Sequence, residues 1–93
     1  MTIQTFRSKG LKKFFETGSK SGIQLALTNK LKLILDRLDA ATGLKDMNFP
    51  GSDFHSLKGD LKGFWSVHVN GNWVVIFRFE DGEAIDVDLV DYH

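Results

Sequence analysis

From residue 64 onward, apolar side chains fall on every second position. Trp65, Val67 and Val69 come first; Trp73, Val75, Phe77 and Phe79 follow Asn70-Gly71-Asn72; Ile85, Val87 and Leu89 follow Asp81-Gly82-Glu83. A period of two marks strands with one buried face, and the polar, glycine-bearing interruptions read as hairpin turns. Opposed residues of an antiparallel pair share a face. Odd facing odd therefore predicts three-residue loops at both turns, a β-bulge being the other device that gives this parity. The even positions, Phe64, Ser66, His68, Val74, Ile76, Arg78, Asp86 and Asp88, go to the opposite face, and their mostly polar character predicts that it is open. Val74 and Ile76 break that pattern. Beside Phe64 they read either as ordinary β-branched strand surface or as an exposed apolar patch that meets a partner or ligand.

The first half follows a helical period instead. Thr2 to Phe6 reads as a short first strand. Ser8 is placed to cap a helix from Lys9, whose stripe is Leu11, Phe14 and Phe15 and whose stop is Gly18. Ser21 and Gln24 have capping-box spacing for a longer helix, with Leu27, Leu31, Ile34, Leu35 and Leu38 on one face through about Ala41 and Gly43 at its end. Leu44 to Asp53, with Pro50 and Gly51, is a connector. The predicted fold is α+β: two N-terminal helices packed on one face of a four- to five-stranded, mainly antiparallel sheet, in a single domain over residues 1–93.

Composition narrows this only in part. Ninety-three residues make one thin-cored domain, and with no cysteine there is neither a disulfide nor a thiolate ligand. No apolar run reaches the length of about 18 residues that a membrane span needs. Met1 to Lys13 lacks the apolar stretch of a secretory signal. The formal net charge is zero, which argues against a strongly basic nucleic-acid domain. The zero hides a split, however. Residues 1–46 hold nine Lys/Arg against four Asp/Glu, and residues 47–93 hold three against eight. A dipolar chain steers a polyanion to one face even at zero net charge, although solvated lysines on small helices produce the same pattern.

His55, His68 and His93 lack metal-ligand spacing, and no phosphate-cradling glycine loop or nucleophile elbow is present. Two clusters carry possible chemistry: His55-Ser56-Leu57-Lys58-Gly59 and the terminal Asp91-Tyr92-His93. If the strand before Trp65 and the chain after Leu89 meet at a sheet edge, two imidazoles, an ammonium, a phenol and a carboxylate share one site. That set suits metal-free RNA cleavage. The 2′-hydroxyl needs a base, the phosphorane needs a cation, and the departing 5′-oxygen needs an acid. Imidazole, with an unperturbed pKa of about 6.5, serves as base or acid near neutrality. The bland reading of the same residues is a solvated loop histidine and a frayed terminus.

The segment Phe6-Arg7-Ser8-Lys9-Gly10-Leu11-Lys12-Lys13-Phe14-Phe15-Glu16-Thr17-Gly18 resembles the opening of HigB-type toxins, the plasmid-maintenance killer branch of the RelE/ParE superfamily. Ile34 to Thr42, His55-Ser56-Leu57-Lys58-Gly59-Asp60 (the family's H-P-L-K-G segment), Phe64 to Val67, Asn72-Trp73 and Asp91-Tyr92-His93 match as well, in order and along the whole chain. The resemblance implies a compact RelE-like toxin of a type II toxin–antitoxin pair, an endoribonuclease that cuts mRNA at the ribosome without a cofactor. It implies a catalytic set of His55, Lys58, Asp91, Tyr92 and His93. In that set His93 acts as general acid or base, His55 and Asp91 assist, Lys58 stabilises charge, and Tyr92 stacks on a base or positions the RNA. It implies docking of the basic half, with Lys9, Lys12, Lys13 and Lys20, on ribosomal RNA, and Arg78 as a further RNA contact. The implied partner is a helix-turn-helix, HigA-like antitoxin, the toxin being a monomer alone and part of a hetero-oligomer with it. The implied compartment is the cytoplasm.

Two positions depart from the family. Where it continues N-W-R-I-T-F, this chain has Val74, Val75, Ile76 and Phe77 after Asn72-Trp73, which removes a cation from the face where RNA is expected. Loss of such a contact typically costs about 10²–10³ in rate, so the sequence implies an attenuated toxin. Ser56 replaces the family's Pro and loosens the His55 loop slightly. The alternative functions are a catalytically weak relative that binds its antitoxin and a non-enzymatic toxin that acts on a topoisomerase through protein contacts.

Overall fold

The computed structural model describes residues 2–92. Helix α1 spans Lys9–Thr17 and α2 spans Thr28–Ala40; strands β1 His55–Ser56, β2 Phe64–Asn70, β3 Trp73–Glu80 and β4 Glu83–Asp91 form one antiparallel sheet in the order β1-β2-β3-β4. The N-terminal segment adds no full strand. It bridges β4 in parallel fashion at Ile3–Ala84 and Phe6–Val87, and so extends the sheet beyond its fourth strand.

Both ends of α1 follow from single residues. The Ser8 hydroxyl accepts the Leu11 N–H at 3.2 Å, and Gly18, at φ 78°, turns out of the helix while its N–H donates to the Phe14 carbonyl. The capping box at Ser21 and Gln24 does not form. Gly22 stands at φ 81°, where no helix can pass; a short 3-10 turn over Leu25–Leu27 follows, and α2 begins only at Thr28. Gly43 is not the stop of α2 either. The helix ends as Ala41 turns extended into the core, and the Asp46 carboxylate holds the Thr42 N–H and hydroxyl at 2.8 Å. Gly43 precedes a second 3-10 turn, Leu44–Met47, inside the expected connector.

The helices cover the odd face. Leu11, Phe14, Leu31, Ile34, Leu35 and Leu38 form one core with Val67, Val69, Val75, Phe77 and Val87. The three-residue loops are corrected: each hairpin closes on a two-residue tip, Asn70 pairing with Trp73 and Glu80 with Glu83. Register shifts between His68 and Asn70 and opposite Ile76–Arg78 supply the parity. The second shift passes through Asp86 at φ 53° and puts Ala84, not Ile85, in the core.

The even face is not open. The segment after β1 folds back over it, and Leu57, Phe64, Val74 and Ile76 form a second buried cluster flanked by Leu61 and Val90. Val74 keeps only 7% exposure, so the expected exposed patch does not exist. Burial of Leu57 against valine and isoleucine accounts for the apolar residues that the alternation left unexplained. No helix of the described residues is long and apolar enough to cross a membrane.

Candidate functional site

His55 enters the site from the edge strand. It sits directly opposite Ser66 and therefore on the even face. Its Nδ1 lies 2.7 Å from the Asp53 carbonyl oxygen and 4.0 Å from the Asp53 carboxylate. A carbonyl only accepts, so Nδ1 carries the hydrogen and the neutral ring presents the lone pair of Nε2 outward. Asp53 reaches this position at φ 44°, a left-handed turn that aims its carbonyl back at the ring. Lys58 follows on the same loop, exposed, just before the 3-10 turn Gly59–Leu61.

The C-terminal cluster arrives on β4. Asp91 pairs with Trp73, and the Tyr92 N–H donates to the Asn72 carbonyl at 2.7 Å, which leaves the phenol 45% exposed. His93 lies outside the described residues. The two clusters do not meet at one sheet edge: β1 is at one end of the strand order and β4 at the other, with β2 and β3 between them. At a strand spacing of about 4.8 Å this is roughly 14 Å across, and Asp91, opposed to Trp73, belongs to the odd face whereas His55 stands on the even one. Register fills in what lies between. One row runs His55–Ser66–Ile76–Asp88, and the next runs His68–Val74–Val90. Ser66, Ile76 and Val74 are themselves buried, so the rows leave His55 exposed at one edge and His68, Asp88 and Val90 partly exposed farther along them.

Arg78 pairs with Phe64 at the far end of this face, half-exposed, with Glu80 3.8 Å away. Its guanidinium carbon stands 5.9 Å from the Phe64 ring centre, and that of Arg7 stands 5.4 Å from the same ring. Arg7 lies two residues before Lys9 in the basic half, but only the fold brings it to Phe64. Lys9, Lys12 and Lys13 are exposed on α1, and Lys20 is exposed just after it. The helices also enclose a groove of about 390 Å³ lined by Phe14, Phe15, Lys20, Thr28, Lys32 and Asp36, on the opposite side of the sheet from His55. Beneath the site, the hydroxyls of Ser52 and Ser66 are buried without a hydrogen-bond partner among the described residues. No group of three or more His, Cys, Asp or Glu suited to a metal ion occurs among those residues.

His68 is the site-face residue that sequence reasoning left unassigned. Its parity with Ser66 and Val74 was the available signal.

Comparison with known proteins places this geometry. Residues 4–93 match the model of the HigB-like toxins, described as the RelE-like toxin of type II toxin–antitoxin system HigB. The chain is 37% identical over 91 residues to "Endoribonuclease HigB" of Proteus vulgaris, covering 98% of this chain and 99% of that protein. It is also 37% identical to "Toxin HigB-1" of Vibrio cholerae serotype O1, covering 90% of each. Among solved structures, a YafQ mutant from E. coli superposes with a TM-score of 0.62 at 21% identity, over 97% of this chain and 93% of that one. A YoeB–YefM complex from Staphylococcus aureus gives 0.57 at 14% identity, over 100% and 99%. These likenesses match the sheet and helices described above, and the family match spans the site from His55 to the C-terminus. The chain belongs to the HigB-like toxins, the RelE-like toxins of type II toxin–antitoxin systems.

Proposed function

We propose that this chain is a toxin endoribonuclease that cuts mRNA on the translating ribosome, with the 2′-hydroxyl of the RNA as nucleophile. The observation that carries the reading is the 37% identity to "Endoribonuclease HigB" over 98% of the chain, a span that includes both chemistry-bearing clusters. The roles follow the chemistry of the groups. Nε2 of His55 faces outward as a proton acceptor. Lys58 neutralises phosphate charge, and Asp91 assists. Tyr92 offers a half-exposed ring for stacking on a base, and His93 is the general acid or base. Lys9, Lys12, Lys13 and Lys20 dock the helical side on ribosomal RNA, and Arg78 contacts the message. A helix-turn-helix antitoxin of the HigA kind holds the toxin, a monomer when free, in a hetero-oligomer, and the site of action is the cytoplasm.

Primer extension on translating ribosomes tests this reading. Cuts within codons that vanish in His93→Ala and His55→Ala are the expected result. Stable antitoxin binding with no cuts, or inhibition of DNA gyrase without cleavage, sinks the nuclease reading in favour of a binding toxin.

One observation favours a weakened nuclease. Val74, where the family pattern has Arg, is packed among Leu57, Phe64 and Ile76 and brings no charge to the face. Val74→Arg is expected to raise growth arrest and cleavage rate. An Arg variant that folds yet is no more toxic than the parent rules out attenuation at this position.

A further inference from the structure

His68 belongs to neither cluster that the sequence singles out, yet it stands between them. It pairs with Val74, which pairs in turn with Val90, so this row of the face carries one imidazole beside two valines. His55 and Ser66 occupy the adjacent row, and Tyr92 lies two residues beyond Val90. The ring is half-buried and fixed: its Nε2 lies 3.0 Å from the Gly71 carbonyl oxygen. Nε2 therefore donates, and Nδ1 is the ring's second nitrogen. Among the described residues no carboxylate lies within ion-pair distance of it, the Asp53 carboxylate being turned to His55. Directly opposed side chains in an antiparallel pair lie about 5 Å apart at Cβ, so the partly exposed imidazole stands beside Val74, which is buried and brings no charge to this row. A half-buried polar ring in an apolar row is costly to desolvate, and a turn clamp uses only one of its nitrogens.

We propose that His68 is a catalytic residue of the RNA-cleaving face, its imidazolium donating the Nδ1 hydrogen to a non-bridging oxygen of the scissile phosphate. The inference rests on the nuclease reading above. In the cleavage the 2′-oxygen bonds to phosphorus while the bond from phosphorus to the 5′-oxygen breaks, which leaves a 2′,3′-cyclic phosphate and a 5′-hydroxyl. The 2′-hydroxyl proton passes to the base, and a proton from the acid goes to the departing 5′-oxygen. His68 keeps its own proton throughout and stabilises the charge that the phosphorane gains.

The test is single-turnover cleavage of an mRNA on programmed ribosomes by the full chain, His68→Gln and His68→Lys, with melting temperature and antitoxin binding measured in parallel. Glutamine retains an N–H for Gly71 but no charge, whereas lysine retains the charge. The expected result is a cleavage rate about 10- to 100-fold lower for His68→Gln at unchanged melting temperature and antitoxin affinity, and a return to within about tenfold of the parent for His68→Lys. A parental rate in His68→Gln overturns the inference. So does a His68→Lys rate as low as that of His68→Gln, which marks the ring as a turn clamp. If the parent chain itself cuts no RNA, the nuclease reading fails, and this inference fails with it; that outcome is visible before any His68 variant is compared.

Discussion

At Glu83 one carboxylate oxygen accepts two hydrogen bonds from the N-terminal segment, from the Thr2 N–H at 3.0 Å and the Gln4 amide at 3.1 Å. These bonds, that from Gln4 foremost, hold the Glu83 carboxyl below its usual value of 4.5. A depressed folded-state pKa contributes stability that is present above the unfolded pKa and lost as pH falls through the folded one. Glu83→Gln is therefore expected to melt below the parent at pH 7, and the gap should close as the pH drops below 4.5. Melting curves of both chains across that range check it; a gap that persists in acid shows that geometry, not charge, secures the segment. Asp46 is held low by the Thr42 backbone N–H and hydroxyl and adds to the same acid sensitivity. Residue types also decided how much of the site was legible. His55 and Lys58 stand out because their chemistry is concentrated in one short loop, and the resemblance supplied their roles. His68 did not stand out, because an isolated histidine at an even position reads as solvated surface. Only the register, which puts it beside Val74 and one row from His55, gives it neighbours.

Among the elements, β4 depends on one strained residue. Asp86 stands at φ 53°, and its N–H donates to the Thr5 hydroxyl at 2.8 Å, so the bulge that corrects the strand's parity also receives the N-terminal segment. A β-branched side chain is a steric outlier in that region of backbone space, whereas glycine enters it freely. Asp86→Val is expected to destabilise the fold by about 1–3 kcal/mol and Asp86→Gly by much less, as read from urea midpoints. Equal losses in the two variants point to the carboxylate rather than the backbone. The same bulge shows where sequence reasoning stops. Alternation identified three strands, the need for a parity correction and their buried face apart from the start of β4, where Ala84 takes the core place expected of Ile85. The pattern favours a three-residue loop at each turn over a bulge, and errs there because both devices give odd facing odd. Asp81-Gly82 takes the two-residue tip, with both residues at positive φ, and leaves the correction to Asp86. Likewise the alternation gives Leu57 and Leu61 no place in the core, since a short apolar loop segment has no period to betray that it covers the second sheet face.

Across the whole molecule the charge split along the chain is also a split in space. The exposed lysines of α1 lie on the helical side, whereas Glu80, Asp81, Glu83, Asp86, Asp88 and Asp91 are carried by β3, β4 and their turn, with Asp88 in the row of His55. If RNA comes close to these carboxylates, they weaken the binding of free RNA, and affinity has to come from elsewhere. Phosphate contacts made by lysines release counterions and make binding salt-dependent, with a slope that falls by about one for each contact removed. If α1 docks on ribosomal RNA, Lys12→Glu with Lys13→Glu is expected to weaken cosedimentation with ribosomes by at least tenfold and to flatten its dependence on salt. Both side chains are exposed and neither has an ion-pair partner among the described residues, so the fold should persist. The cleavage that remains at saturating ribosome should keep its rate, because α1 lies on the far side of the sheet from His55. An unchanged salt slope would instead make the basic half an ordinary solvated surface, and the acidic hairpin would then have no counterweight in recognition.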